Sequence, residues 1–142
     1  MKIVGVIPAR MGSSRFPGKP LTPILGLPMV LHVYCRAQRC ASLQEVYITT
    51  PDPELQEAAE RFGARVIMTS PRHERCTDRV AEAMTRLPHM PEIVVNIQGD
   101  EPMVYPEIVD RGVAELLKDP TAVSAHPVAE IPDLETFQNH NV

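Results

Sequence analysis

Residues 7–21, IPARMGSSRFPGKPL, place three cations in one glycine-containing stretch directly after a short apolar run. Arg10, Arg15 and Lys19 supply positive charge, Gly12 and Gly18 let a backbone approach a ligand closely, and Ser13 and Ser14 add hydroxyl donors. This chemistry suits a small ligand whose charge sits in phosphate groups. Two common phosphate motifs are excluded by spacing. Five residues rather than four separate Gly12 from Gly18, and Lys19 is followed by Pro20 instead of the Ser or Thr that holds Mg²⁺ in a Walker A loop. A GxGxxG turn after the first apolar run is also missing.

Two further stretches carry chemistry. QGDEP (98–102) sets Asp100 and Glu101 after an apolar run and before a proline, and Asp100 is the better ligand for a hard cation such as Mg²⁺, which favours one or two carboxylates plus substrate phosphate oxygens. TSPRHERCTDR (69–79) holds Arg72, Arg75 and Arg79 with His73, Thr77 and Asp78. Thr77 is placed to cap the helix that follows, and His73 is a weak acid/base candidate. His32, His89, His126 and His140 have no partner visible in the sequence, so packing or surface positions are expected of them. No Ser/His/Asp or Cys/His nucleophile arrangement follows from spacing.

Charge is unevenly spread. The first 44 residues hold six cations and no Asp or Glu, whereas the rest hold eight cations and 18 acids, for a net charge of −4. Cations gathered in one loop without interleaved aromatics favour a small anion over nucleic acid. At 142 residues, 44% hydrophobic and 23% charged, the chain matches one soluble domain with a largely aliphatic core, there being no Trp. The opening apolar run is too short for a signal peptide or a membrane span, so no membrane partner and a cytoplasmic location are expected. Cys35, Cys40 and Cys76 lack metal-site or CxxC spacing and are expected to be reduced.

These segments need a scaffold that brings them together. β-branched runs at 2–7, 45–50, 65–68, 92–97 and, more weakly, 122–128 read as strands. Helical patterns lie at 29–40, 53–63, 77–87 and 106–117. In the second of these, Leu55, Ala58, Ala59 and Phe62 form one stripe, Asp52 can cap, Pro53 starts the helix and Gly63 ends it. Four strand–helix repeats with short connections predict a three-layer α/β/α domain with a mostly parallel sheet. Ligands of such sheets bind beyond the carboxyl ends of the strands, where the three unusual segments all emerge. Arg10, Lys19, Arg79 and Asp100 are thereby expected in one crevice.

IPARMGSSRFPGKPL, HERCTDR and VNIQGDEPM, with LPMVLHVYCRA and FQNHNV, resemble the 3-deoxy-manno-octulosonate cytidylyltransferases (CMP-Kdo synthetases) from the first strand to the C-terminus. QGDEP favours this branch over related sugar-acid cytidylyltransferases. The resemblance implies a nucleotide-diphospho-sugar transferase (Rossmann-like) fold and attack of the anomeric hydroxyl of Kdo on the α-phosphate of CTP, for lipopolysaccharide biosynthesis. By motif, Arg10 and Lys19 hold the triphosphate, Pro8, Ala9, Gly12, Ser13, Ser14 and Arg15 shape the nucleotide loop, and Thr77 and Arg79 lie near the nucleotide. Gln98 lies between nucleotide and sugar, and Asp100 binds Mg²⁺. Arg75 and Cys76 stand where the family commonly has Ser-Gly.

The family is longer. The resemblance implies that residues 1–142 are its nucleotide-binding part, and that a second metal-binding aspartate, most of the Kdo pocket and much of the homodimer surface belong to the C-terminal half. A related sugar-acid cytidylyltransferase and a nucleotide-binding module without catalysis are the alternative readings.

Overall fold

The computed structural model describes residues 1–12 and 16–138, apart from the side chains of Leu134 and Glu135. Four parallel strands form its sheet: β1 (Ile3–Pro8), β4 (Glu45–Thr50), β5 (Val66–Met68) and β6 (Ile93–Asn96). Between β1 and β4 lies a two-stranded hairpin, β2 (Pro23–Ile24) and β3 (Leu27–Pro28). The helices are α1 (Met29–Ala37), α2 (Pro53–Arg61), α3 (Cys76–Thr85), α4 (Pro106–Lys118) and α5 (Leu134–Gln138).

The sheet runs β5-β4-β1-β6, so the chain steps outward twice from β1 and then returns to its other side. Every residue of β1 is buried because both of its faces are covered. On one face Ile7 and Ile48 pack with Val30, Val33 and Tyr34 of α1 and with Leu55 and Ala59 of α2. On the other, Val4, Val6 and Ile67 pack with Val80, Ala83 and Met84 of α3. Helices on both faces make the three expected layers, and each fully buried Val, Ile or Leu contributes about 1.5–3 kcal/mol. The Asp110 carboxylate ties α4 to the turn after α1 by accepting from the backbone N–H groups of Ala41 (3.0 Å) and Ser42 (2.9 Å).

Five local expectations are corrected. The weak run at 122–128 forms no strand: it joins no ladder, and Val123 and Val128 are more than 90% exposed. Asp52 occupies the N-cap position of α2 but makes no side-chain cap hydrogen bond, and neither does Arg75, which precedes α3 in place of Thr77. Phe62, expected on the α2 stripe, is 46% exposed, while Leu55 and Ala59 are buried. His32 has a partner, Ile24 O at 2.8 Å, which anchors the hairpin to α1. Among the described residues no helix is long and apolar enough to cross a membrane. The three cysteines are free.

Candidate functional site

The order reverses between β1 and β6, and a cavity of about 590 Å³ opens beyond the carboxyl ends of these two strands. Pro8, Ala9, Arg10, Gly12, Phe16, Lys19 and Pro20 line it from the β1 side, and Gln98, Gly99 and Asp100 from the β6 side. His73, Glu74, Arg75, Cys76 and Arg79 come from the loop before α3 and its first turns, and Met29 from the start of α1.

Backbone ladders carry the two strand ends to this point. Ala9 N–H donates to Thr49 O and Ile97 N–H to Val6 O, both at 2.9 Å, so the pairing continues past the formal strand ends. The loops then approach so closely that a Cβ on Gly99 would lie 2.6 Å from Pro8 O, which only glycine avoids. On the β1 side Gly18, at φ 75°, turns the chain into a short 3₁₀ helix over Lys19–Leu21, and its N–H donates to Met11 O at 3.0 Å. This turn carries Lys19 across to Asp100, whose Oδ2 lies 2.8 Å from Lys19 Nζ.

The loop before α3 is held by two side chains of that helix. Arg79 is 3% exposed and donates to Thr69 Oγ1 (2.7 Å), Ser70 O (3.2 Å) and His73 O (3.3 Å). Burial lowers its pKa below the usual arginine value; the nearby Asp52 opposes that shift and Arg10 adds to it. Glu82 accepts from Ser70 N–H at 2.9 Å and also pairs with His73 Nε2 and Arg86. The Ser70 N–H first, then His73 and Arg86, hold the Glu82 carboxyl down to about 2. Cys76 Sγ lies 3.9 Å from Asn96 Nδ2 and 4.0 Å from Gln98 Nε2, at the cavity edge of β6.

The sequence-expected residues Pro8, Ala9, Arg10, Gly12, Lys19, Arg79, Gln98 and Asp100 all line this cavity. Thr77 is exposed and is not among the described residues that line it; Cys76, one position earlier, takes that place. Ser13, Ser14 and Arg15 lie outside the described residues. Sequence reasoning passed over Phe16, Pro20, Met29, Glu74 and Gly99 as lining residues. Only Gly99 carried a signal, as a glycine between two polar residues at a strand end.

Among the described residues no group of three or more His, Cys, Asp or Glu could hold a metal by itself. A single carboxylate, Asp100, 52% exposed and beside a cationic loop, instead fits a Mg²⁺ that shares its ligands with a bound phosphate chain.

A sequence profile of the cytidylyltransferase family matches residues 4–142. The 3-deoxy-manno-octulosonate cytidylyltransferase of Geobacter metallireducens is 44% identical over all 142 residues, which cover 55% of that protein. The Escherichia coli protein of the same name is 46% identical over 97% of the chain, covering 58% of its own length. The solved structure of a CMP:2-keto-3-deoxy-manno-octonic acid synthetase complexed with CTP superposes with a TM-score of 0.81 at 46% identity, over 85% of this chain and 49% of that one. The chain thus spans about half the length of the relatives it matches.

Proposed function

The chain belongs to the cytidylyltransferase family, and from that premise we propose that residues 1–142 are the nucleotide-binding part of an enzyme that transfers CMP from CTP to Kdo. In the reaction the anomeric hydroxyl oxygen of Kdo bonds to the α-phosphorus of CTP, the bond from that phosphorus to the bridging oxygen breaks, and pyrophosphate leaves. The hydroxyl proton passes to solvent. The product, CMP-Kdo, is the activated sugar acid used for lipopolysaccharide biosynthesis.

The observation that supports this reading is the Lys19–Asp100 contact at the β1/β6 crevice, which sets a cation suited to phosphate beside a carboxylate suited to Mg²⁺. Arg10 and Lys19 bind the triphosphate and neutralise charge that builds on the leaving pyrophosphate. The backbone of Pro8, Ala9 and Gly12, with Ser13, Ser14 and Arg15, wraps the nucleotide, and Gln98 lies where nucleotide meets sugar. Arg79 acts by holding the loop beside the base, next to Cys76 and Thr77. Mg²⁺ held by Asp100 and the phosphate oxygens would supply further neutralisation of negative charge. Catalysis is then positioning plus electrostatics, with no covalent nucleophile. A homodimer in the cytoplasm is the accompanying expectation from the family.

Calorimetric titration of the 142-residue chain with CTP and Mg²⁺ tests this. We expect saturable binding that ATP and GTP do not match. No binding at millimolar CTP would sink the nucleotide reading, and equal affinity for all three nucleotides would remove the cytidine assignment.

A further inference from the structure

Asp52 stands where a helix cap belongs and does something else. It begins α2 with extended backbone (φ −99°, ψ 115°) and Pro53 behind it, yet its carboxylate makes no cap hydrogen bond to α2. Oδ2 instead accepts the Met11 N–H at 2.7 Å, across 41 positions of sequence, and the Thr50 hydroxyl at 3.4 Å. Thr50 is fully buried at the end of β4, and its Oγ1 accepts the Asp52 N–H at 3.1 Å, so the carboxylate is oriented from both ends. Met11 has its other backbone group engaged as well, its carbonyl accepting from Gly18 N–H. Both polar groups of Met11 are therefore fixed, one by the β4–α2 junction and one by the turn that delivers Lys19.

Met11 follows Arg10 and precedes Gly12, at the root of the cationic loop. A cap hydrogen bond ordinarily strengthens the start of a helix, and α2 forgoes it for this bond to a different segment. We propose that Asp52 is a positioning residue: it acts through the Met11 N–H to hold the loop so that Arg10 and Lys19 face the cavity. The proposal rests on the nucleotide reading above for its effect on binding, though not for the contact itself. It also makes a counterintuitive prediction of sign. An acidic group beside an anion site should weaken anion binding by Coulomb repulsion, so removing it should tighten binding unless the group holds the site together.

The test follows two quantities in the 142-residue chain and in Asp52→Ser and Asp52→Asn: hydrogen exchange of the Met11 amide, and affinity for CTP with Mg²⁺. Serine caps α2 well but is too short to reach Met11, so the fold is kept, as checked by protection of the Leu55 and Ala59 amides. Asparagine keeps an oxygen acceptor. The expected result is loss of Met11 protection and about tenfold weaker CTP binding in the serine variant. Asparagine should retain both, or bind CTP more tightly. Unchanged Met11 protection in the serine variant overturns the proposal, as does CTP binding at least as tight as that of the parent. If the parent chain does not bind CTP at all, the nucleotide reading falls, and Met11 exchange across the three proteins still decides whether Asp52 holds the loop.

Discussion

Lys19 Nζ lies 2.8 Å from Asp100 Oδ2, joining the loop after β1 to the loop after β6 across 81 positions of sequence. The two side chains are 38% and 52% exposed, so the pair itself adds only about 0–1 kcal/mol to stability. Its importance is positional. In the nucleotide reading proposed above, the triphosphate would engage Lys19 and Mg²⁺ would be held by Asp100.

Asp100→Asn should separate binding from folding. We expect the Mg²⁺-dependent part of CTP affinity to fall about tenfold, while the unfolding free energy changes by under about 1 kcal/mol. Calorimetry with and without Mg²⁺, alongside urea unfolding, reads both. A variant that keeps its full response to Mg²⁺ would remove Asp100 from the metal.

Arg79 should behave in the opposite way. Replacing it with Met removes the guanidinium donor from Ser70 O and His73 O and leaves Thr69 Oγ1 with only the Thr49 hydroxyl, and we expect a loss of about 2–4 kcal/mol in urea unfolding. Lysine keeps the charge and loses the planar fork, so it should recover only part of this. A neutral outcome for Arg79→Met would show that the loop before α3 holds itself.

Glu82 gives a pH dependence with a definite sign. Its pKa in the fold is about 2, below the ordinary glutamate value of 4.5, so the unfolded chain binds more protons between these values. The stability it contributes is present above about pH 4.5 and is lost as pH falls towards 2. In urea unfolding across this range, the gap between parent and Glu82→Gln should be widest at the upper end and narrow on acidification. A constant gap would mean that the carboxylate charge contributes nothing.

Alkylation of the cysteines locates the ligand. Cys40 is buried, and burial pushes its thiol up to about 11, so it should resist iodoacetamide near neutral pH. Cys76 lines the cavity and is half-buried; Cys35 is half-buried on α1 and is not among the lining residues. CTP with Mg²⁺ should slow labelling of Cys76 and leave Cys35 unchanged, as read by peptide mass spectrometry. Protection of Cys35 alone would put the nucleotide elsewhere.

The four parallel strands and α1–α4 were legible to within a few residues, because aliphatic runs and a helical stripe are local patterns. The β2–β3 hairpin was not. Its turn uses Leu25 at φ 50° and Gly26 at φ 84°, and Leu in the left-handed region is not a residue by which such a turn is recognised. The run at 122–128 misled in the other direction, since β propensity makes a strand only where a neighbouring strand can pair. Within the site, glycines and charges marked the two loops, whereas Met29 looked like any helix residue and Cys76 like any reduced cysteine.

Residue order alone was enough to tell which residues carry charge, which segments become strands and helices, and that the loops after the first and last parallel strands share an edge. These follow from side-chain chemistry, periodicity and the rule for open parallel sheets. Which partner each polar group meets came from the folded chain. Asp52 leaves its own helix for Met11, Arg79 turns inward to three oxygens of one loop, and Gly99 passes under Pro8 O. Several partners compete for each such group, and the competition is resolved only when packing brings one of them within hydrogen-bond distance and shuts out water.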